Sequence, residues 1–138
     1  MSKLENVNNE IGAGLIGSLK QPISGAEFLE FLKDRMALSC IRYTQLPDNP
    51  IQRVALCGGS GSFLLSRAKR AKADVFITGD FKYHEFFDAE DEILICDIGH
   101  YESEVFTKDL LHELLSKKFA IFAVNLSEIV TNPINYYK

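Results

Sequence analysis

The sequence predicts an α/β fold, a three-layer α/β/α arrangement around a largely parallel sheet of at least four strands. Three observations carry this reading. From residue 54 onward, short apolar runs alternate with helical stretches. The runs are apolar on both faces, as strands buried between two layers of helices must be. The chain has 138 residues, which suits one domain with enough buried surface to need no staples.

Taken in order, residues 1–10 are polar and read as a loose N-terminal segment, ahead of a single α/β domain over 11–138. Residues 14–19 read as a short strand or extended link. Residues 24–38 carry Phe28, Leu29, Phe31, Leu32 and Met36 at near-helical spacing. Ser24 and Glu27 stand at capping-box spacing, so hydroxyl and carboxylate can each satisfy an orphan N–H at the helix start. Residues 40–44 alternate into a short strand, and 46–50 (LPDNP) form a turn by composition. Strand 54–57 then leads through the loop 58–61 into a helix over 62–71. Strand 75–78 is followed by Gly79-Asp80 and a helical turn to 89. Strand 93–96 precedes the longest helix, 101–118, with Val105, Leu110, Leu111, Leu114 and Leu115 on its inner face. A last strand is expected over 120–124.

Composition narrows the function. Hydrophobic residues make up 46% and charged residues 25%, a balance that excludes disorder as the main state. With 15 basic against 19 acidic residues the net charge is −4, which argues against nucleic acid held by bulk charge. No apolar stretch reaches the ~20 residues of a membrane span, and the first twenty residues lack a signal peptide's apolar region. The three cysteines form no CxxC. Cys57 and Cys96 close apolar runs and read as buried free thiols in a reducing, cytoplasmic setting.

In open parallel sheets, ligands gather outside the carboxyl ends of the strands. That rule selects three loops: CGGSGS, TGDFKYHE and CDIGHYESE. Asp80 and His84 lie four apart in the second, His100 and Glu104 four apart in the third, with Asp97 at a strand end. A His and Glu at i and i+4 share one helical face. They make either a solvated surface pair or two ligands to a divalent ion. Two ligands do not complete a tight site, and Asp80, His84, Asp97 or another chain segment can supply the rest. The loop Gly58, Gly59, Ser60 and Gly61 is either a tight turn needing positive φ or a cradle of N–H groups for an anion. It lacks the spacing and lysine of a P-loop. Gly12, Gly14 and Gly17 match G-x-G-x-x-G, but a polar, asparagine-rich segment precedes them where a dinucleotide fold needs a strand.

The runs VALCGGSG, DVFITGDFKYHE and ICDIGHYESE, in this order, resemble the C-terminal half of the NIF-three-like family, also called GTP cyclohydrolase I type 2 homologues or dinuclear-metal-centre proteins. The stretch EIGAGLIGSLKQPISGAEFLEFLKDRM is similar to the segment leading into that half, so the resemblance covers nearly the whole chain. It implies two similar α/β halves with two divalent ions between them (zinc, manganese or iron) and assembly into hexameric rings. The family motif G-H-x-x-[ST]-E implies His100 and Glu104 as metal ligands. The T-G-D/E…H motif implies Asp80 and His84 as groups lining the same cleft. The family's N-terminal half supplies a histidine pair and an aspartate that complete the metal site. About ten residues precede the glycine-rich stretch here, none of them His. The chain is therefore expected to correspond to a C-terminal half, with weak or absent metal binding by itself.

Two functions follow as expectations. The first is the metal-binding half of a metal-dependent hydrolase acting on a phosphorylated or nucleotide-like substrate. There His84 serves as general acid or base, Asp80 orients it or a water, and Gly58–Gly61 receive the phosphate. The second is a non-enzymatic assembly or regulatory module, in which Phe86, Phe87, Tyr136 and Tyr137 make protein contacts. Expected partners are further copies of the chain and the missing N-terminal half, with no membrane.

Overall fold

The apolar runs pair into the centre of a six-stranded sheet whose order is β1-β2-β4-β5-β6-β3. The strands are β1 (Ser2–Lys3), β2 (Leu15–Ile23), β3 (Arg42–Tyr43), β4 (Ile51–Ser60), β5 (Val75–Gly79) and β6 (Leu94–Asp97). The computed structural model describes residues 2–3 and 12–137. Apart from 2–3, the segment expected to be loose over 1–10 lies outside the described residues. The three central strands β4, β5 and β6 run parallel. The flanking strands run antiparallel: β2 to β4, β1 to β2 and β3 to β6.

Side chains alternate across this sheet with the two-residue period of a strand. Val75, Leu94 and Cys96 face one way and pack with Phe28 and Leu32 of α1 (Gly25–Arg35). Phe76 and Ile95 face the other way and pack with Leu65 and Ala68 of α2 (Leu65–Arg70). Helices thus cover both faces, as the runs apolar on both sides require. The start of α1 is the capping box the sequence spells. The Glu27 N–H donates to Ser24 Oγ at 3.3 Å, and the Ser24 N–H donates to Glu27 Oε2 at 2.8 Å. Cys57 and Cys96 are buried and free, whereas Cys40 is exposed.

The chain divides into two compact units, Met1–Ser103 and Glu104–Lys138. The sheet belongs to the first. In the second, the helix expected over 101–118 is represented by α4 (Thr107–Lys118). A separate short helix, α3 (His100–Glu104), precedes it, and Val105 and Phe106 form a turn between the two. The intended inner face is not covered, since Leu110, Leu111, Leu114 and Leu115 are all exposed. No strand forms over 120–124. The Phe122 N–H donates to Phe119 O at 3.0 Å, closing a turn where a strand would need extended backbone. An apolar run of five residues fixes no conformation without a neighbouring strand to pair with. His112 closes this unit locally, its Nε2 lying 3.0 Å from Val124 O. Among the described residues no helix is long and apolar enough to cross a membrane.

Candidate functional site at the carboxyl ends of the parallel strands

Polar groups buried in an apolar sheet are more informative than exposed ones. Two stand out: Thr78, fully buried in β5, and Asp97, 4% exposed at the end of β6. Both sit at the carboxyl ends of parallel strands, where the topology gathers ligands.

Asp97 organises two loops. Its Oδ2 accepts the Phe81 N–H at 2.9 Å and an N–H of the Arg42 guanidinium. Its Oδ1 accepts the Gly99 N–H at 3.0 Å. Arg42 also donates to Phe81 O at 2.8 Å and lies over the Phe86 ring. With both carboxylate oxygens engaged by protein donors, Asp97 acts as a scaffold. The segments it fixes are those that carry Asp80 and His100.

These two residues meet. His100 Nδ1 stands 2.6 Å from Asp80 Oδ2, with both side chains about half exposed. An ionised carboxylate can only accept, so Nδ1 carries the proton of this contact, and in the neutral imidazole the lone pair is then on Nε2. The approach depends on two backbone features. Gly79 packs so tightly that a Cβ there would stand 2.8 Å from the His100 nitrogen and 2.9 Å from the Gly99 carbonyl carbon. Asp80 itself has φ 61, a left-handed conformation that Asp tolerates better than most residues.

The glycine loop joins the same construction. Gly59 has the expected positive φ, 64, but it lies within β4 at a register irregularity between Leu56 and Ser60 and not in a turn. Its N–H donates to Ser103 Oγ at 2.8 Å, and its carbonyl accepts the Thr78 hydroxyl at 2.9 Å. Ser103 Oγ donates in turn to His100 O at 2.7 Å. Gly58 and Ser60, at the bulged end of β4, are exposed.

The remaining candidates are His84 and Glu104. His84 is exposed on the 3-10 helix Tyr83–Ala89. In that helix Glu85 receives the Lys82 N–H at 2.8 Å, and this bond holds its carboxyl below the usual carboxylate range. Glu104 is the last residue of α3, one turn beyond His100, and is exposed. Among the described residues no three His, Cys, Asp or Glu side chains converge to hold a metal ion. A groove of 540 Å³ opens beside β3, bordered by Arg42, Tyr43, Tyr83, Phe86, Phe87 and Asp91. It includes neither Asp80 nor His100.

Sequence reasoning found Asp80, His100 and the glycine loop but not Thr78, Ser103 or Arg42. A hydroxyl inside the otherwise apolar run VFIT was a usable signal for Thr78. Arg42 reaches Asp97 across 55 residues of chain, a pairing that no local pattern encodes.

A family model for Duf34/NIF3 (NGG1p interacting factor 3) matches residues 1–133. The GTP cyclohydrolase 1 type 2 homolog of Staphylococcus epidermidis is 41% identical over 139 residues, covering 95% of this chain and 37% of the relative. The protein of the same description from Bacillus subtilis is 33% identical over 138 residues, covering 96% and 37%. A crystal structure of a Bacillus cereus protein related to NIF3 superposes with a TM-score of 0.82 at 29% identity, over 90% of this chain and 36% of that one. The chain therefore spans about 37% of the length of the curated relatives it matches. With the fold, the ordered loops and the family match in agreement, the chain belongs to the Duf34/NIF3 family.

Proposed function

We propose that this chain contributes one side of a divalent-metal centre in a hydrolase of phosphorylated or nucleotide-like compounds. The observation that carries the reading is the Asp80–His100 contact of 2.6 Å. A carboxylate on one imidazole nitrogen is the arrangement that fixes the tautomer of a metal-binding histidine and raises the basicity of the other nitrogen. The donor set fits a divalent ion in chemistry but not in number. His100 through Nε2 and Glu104 one turn later on α3 would be two ligands, and the rest come from outside these residues. When bound, such an ion (zinc, manganese or iron) lowers the pKa of a coordinated water. The chain's own residues do the rest. Asp80 orients the His100 ring. Gly58 and Ser60, both exposed, would meet an anionic group of the substrate. His84, four residues past Asp80, is the candidate proton carrier.

A second reading, a non-enzymatic assembly module built from copies of this chain, is favoured by the exposed rings of Tyr83 and Phe87 beside the groove at β3. Manganese line broadening separates the two. Under the metal reading, manganese selectively broadens the resonances of His100 and Glu104, and His100→Ala and Glu104→Ala each remove the effect. Uniform weak broadening that both variants retain, together with concentration-dependent self-association, would select the assembly reading.

A further inference from the structure

We infer that Ser103 is a positioning residue that locks the glycine loop of β4 to the first turn of α3 and thereby holds His100 against Asp80. The inference rests on the metal reading only for its consequence on affinity, because the geometry stands without it. The Ser103 hydroxyl has two partners from different parts of the fold. It accepts the Gly59 N–H at 2.8 Å and donates to His100 O at 2.7 Å. Gly59 is itself anchored from below, because the buried Thr78 donates to its carbonyl at 2.9 Å. A continuous chain of hydrogen bonds thus runs from β5 through the glycine loop to the backbone of His100. It crosses the ends of all three parallel strands' loops without passing through any charged group.

The backbone around this chain leaves little alternative placement. Gly79 abuts the His100 nitrogen so closely that a Cβ would stand 2.8 Å away, and Asp97 fixes Gly99 at 3.0 Å. The entry to α3 is therefore pinned on the β5 and β6 sides by close packing and by Asp97. On the β4 side the Gly59–Ser103–His100 bridge is the corresponding tie. Removing one hydroxyl opens that side and leaves the Gly59 N–H, in a buried residue, without its acceptor. The helix α3 has five residues, too few to hold its first turn by intrahelical bonds alone. Loss of the tie should thus be felt at the His100 ring, whose contact with Asp80 depends on where the first turn sits.

This role assigns a different meaning to the glycine loop. Its Gly59 N–H serves the fold and not a bound anion, which leaves Gly58 and Ser60 as the loop's outward groups. It also separates Ser103 from the ligands, because its hydroxyl is used twice within the protein and has no proton left to give a substrate.

The test compares Ser103→Ala with Ser103→Thr in the 138-residue chain, using three readouts. The first is exchange of the Gly59 amide proton, the second the ¹⁵N tautomer signature of His100, the third zinc affinity. In Ser103→Ala we expect Gly59 exchange to accelerate at least tenfold and the dominant Nδ1–H tautomer of His100 to give way to a mixture. Zinc affinity should fall by about tenfold, the size of effect seen when an orienting partner of a metal-bound histidine is lost. Ser103→Thr keeps the hydroxyl and should restore all three. Unchanged His100 tautomer in a folded Ser103→Ala overturns the inference, whatever zinc does. A tautomer change with zinc bound equally well by both proteins upholds the positioning role and overturns the metal reading, in which the orientation of His100 sets affinity. Should Ser103→Ala not fold, Thr78→Val cuts the chain one bond earlier at constant volume, and the same tautomer readout decides.

Discussion

Helices α1 and α4 have almost the same length, 11 and 12 residues, and both carry an apolar stripe at helical spacing. Their surroundings differ. Phe28 and Leu32 of α1 are 1% and 5% exposed, whereas Leu111 and Leu114 of α4 are 51% and 53% exposed. An amphipathic pattern is thus sufficient to announce a helix, but not to say what covers it. For α1 the cover exists because parallel pairing of β5 and β6 aligns Val75, Leu94 and Cys96 on one face. The unit from 104 to 138 contains no sheet among its described residues, and a segment of that size has too little interior to bury a stripe by itself.

The sharpest way to break this comparison is to truncate both helices. Phe28→Ala should destabilise the fold by about 3–5 kcal/mol, since it empties a closed site. Leu114→Ala should change stability by no more than ~0.5 kcal/mol. Urea unfolding followed by circular dichroism measures both, and equal losses would mean that α4 is packed as firmly as α1. Next in size is Asp97→Asn, which removes the charge that faces Arg42 and weakens the hold on Phe81 and Gly99. A loss of roughly 2 kcal/mol is expected, in the range of hydrogen bonds to charged groups. The His100 tautomer signature should change with it, whereas substitutions in α4 leave that signature alone. Ser24→Ala should cost about 1 kcal/mol through the lost N-cap of α1. Substituting Phe106, the residue ahead of α4, which makes no side-chain cap, should produce no comparable cap loss.

The smallest effect is a pH effect. The hydroxyl and N–H of Ser24 hold the Glu27 carboxyl below its ordinary value. A carboxyl whose folded-state pKa is depressed adds stability above its unfolded pKa, and loses it as pH falls through the folded one. The N-terminus of α1 should therefore fray as pH drops below about 4. Amide exchange at Glu27 monitors this, and Glu27→Gln should flatten the dependence. No such acid-sensitive protection is expected at the start of α4.

What the sequence made legible follows the same division. The apolar runs at 54–57, 75–78 and 93–96 became the three parallel strands, and Ser24 with Glu27 became a capping box, because each signal is local and has one physical outcome. The run 120–124 looked like the others and formed a turn, since strandness is decided by a partner and not by composition. At the site, Asp80 and His100 were legible from the rule about strand ends. Their contact was not, because it depends on Gly79 giving the two loops room to touch. Ser103 and Arg42 act at separations of 44 and 55 residues, beyond the reach of any periodicity.

Calorimetric zinc titration of the 138-residue chain, in parallel with Asp80→Ala and His100→Ala, tests the central claim, that Asp80 orients His100 as a metal ligand. Weak binding is expected for the chain, about 10–100-fold weaker binding for Asp80→Ala, and none for His100→Ala. Affinity that is unchanged when His100 is removed would contradict it.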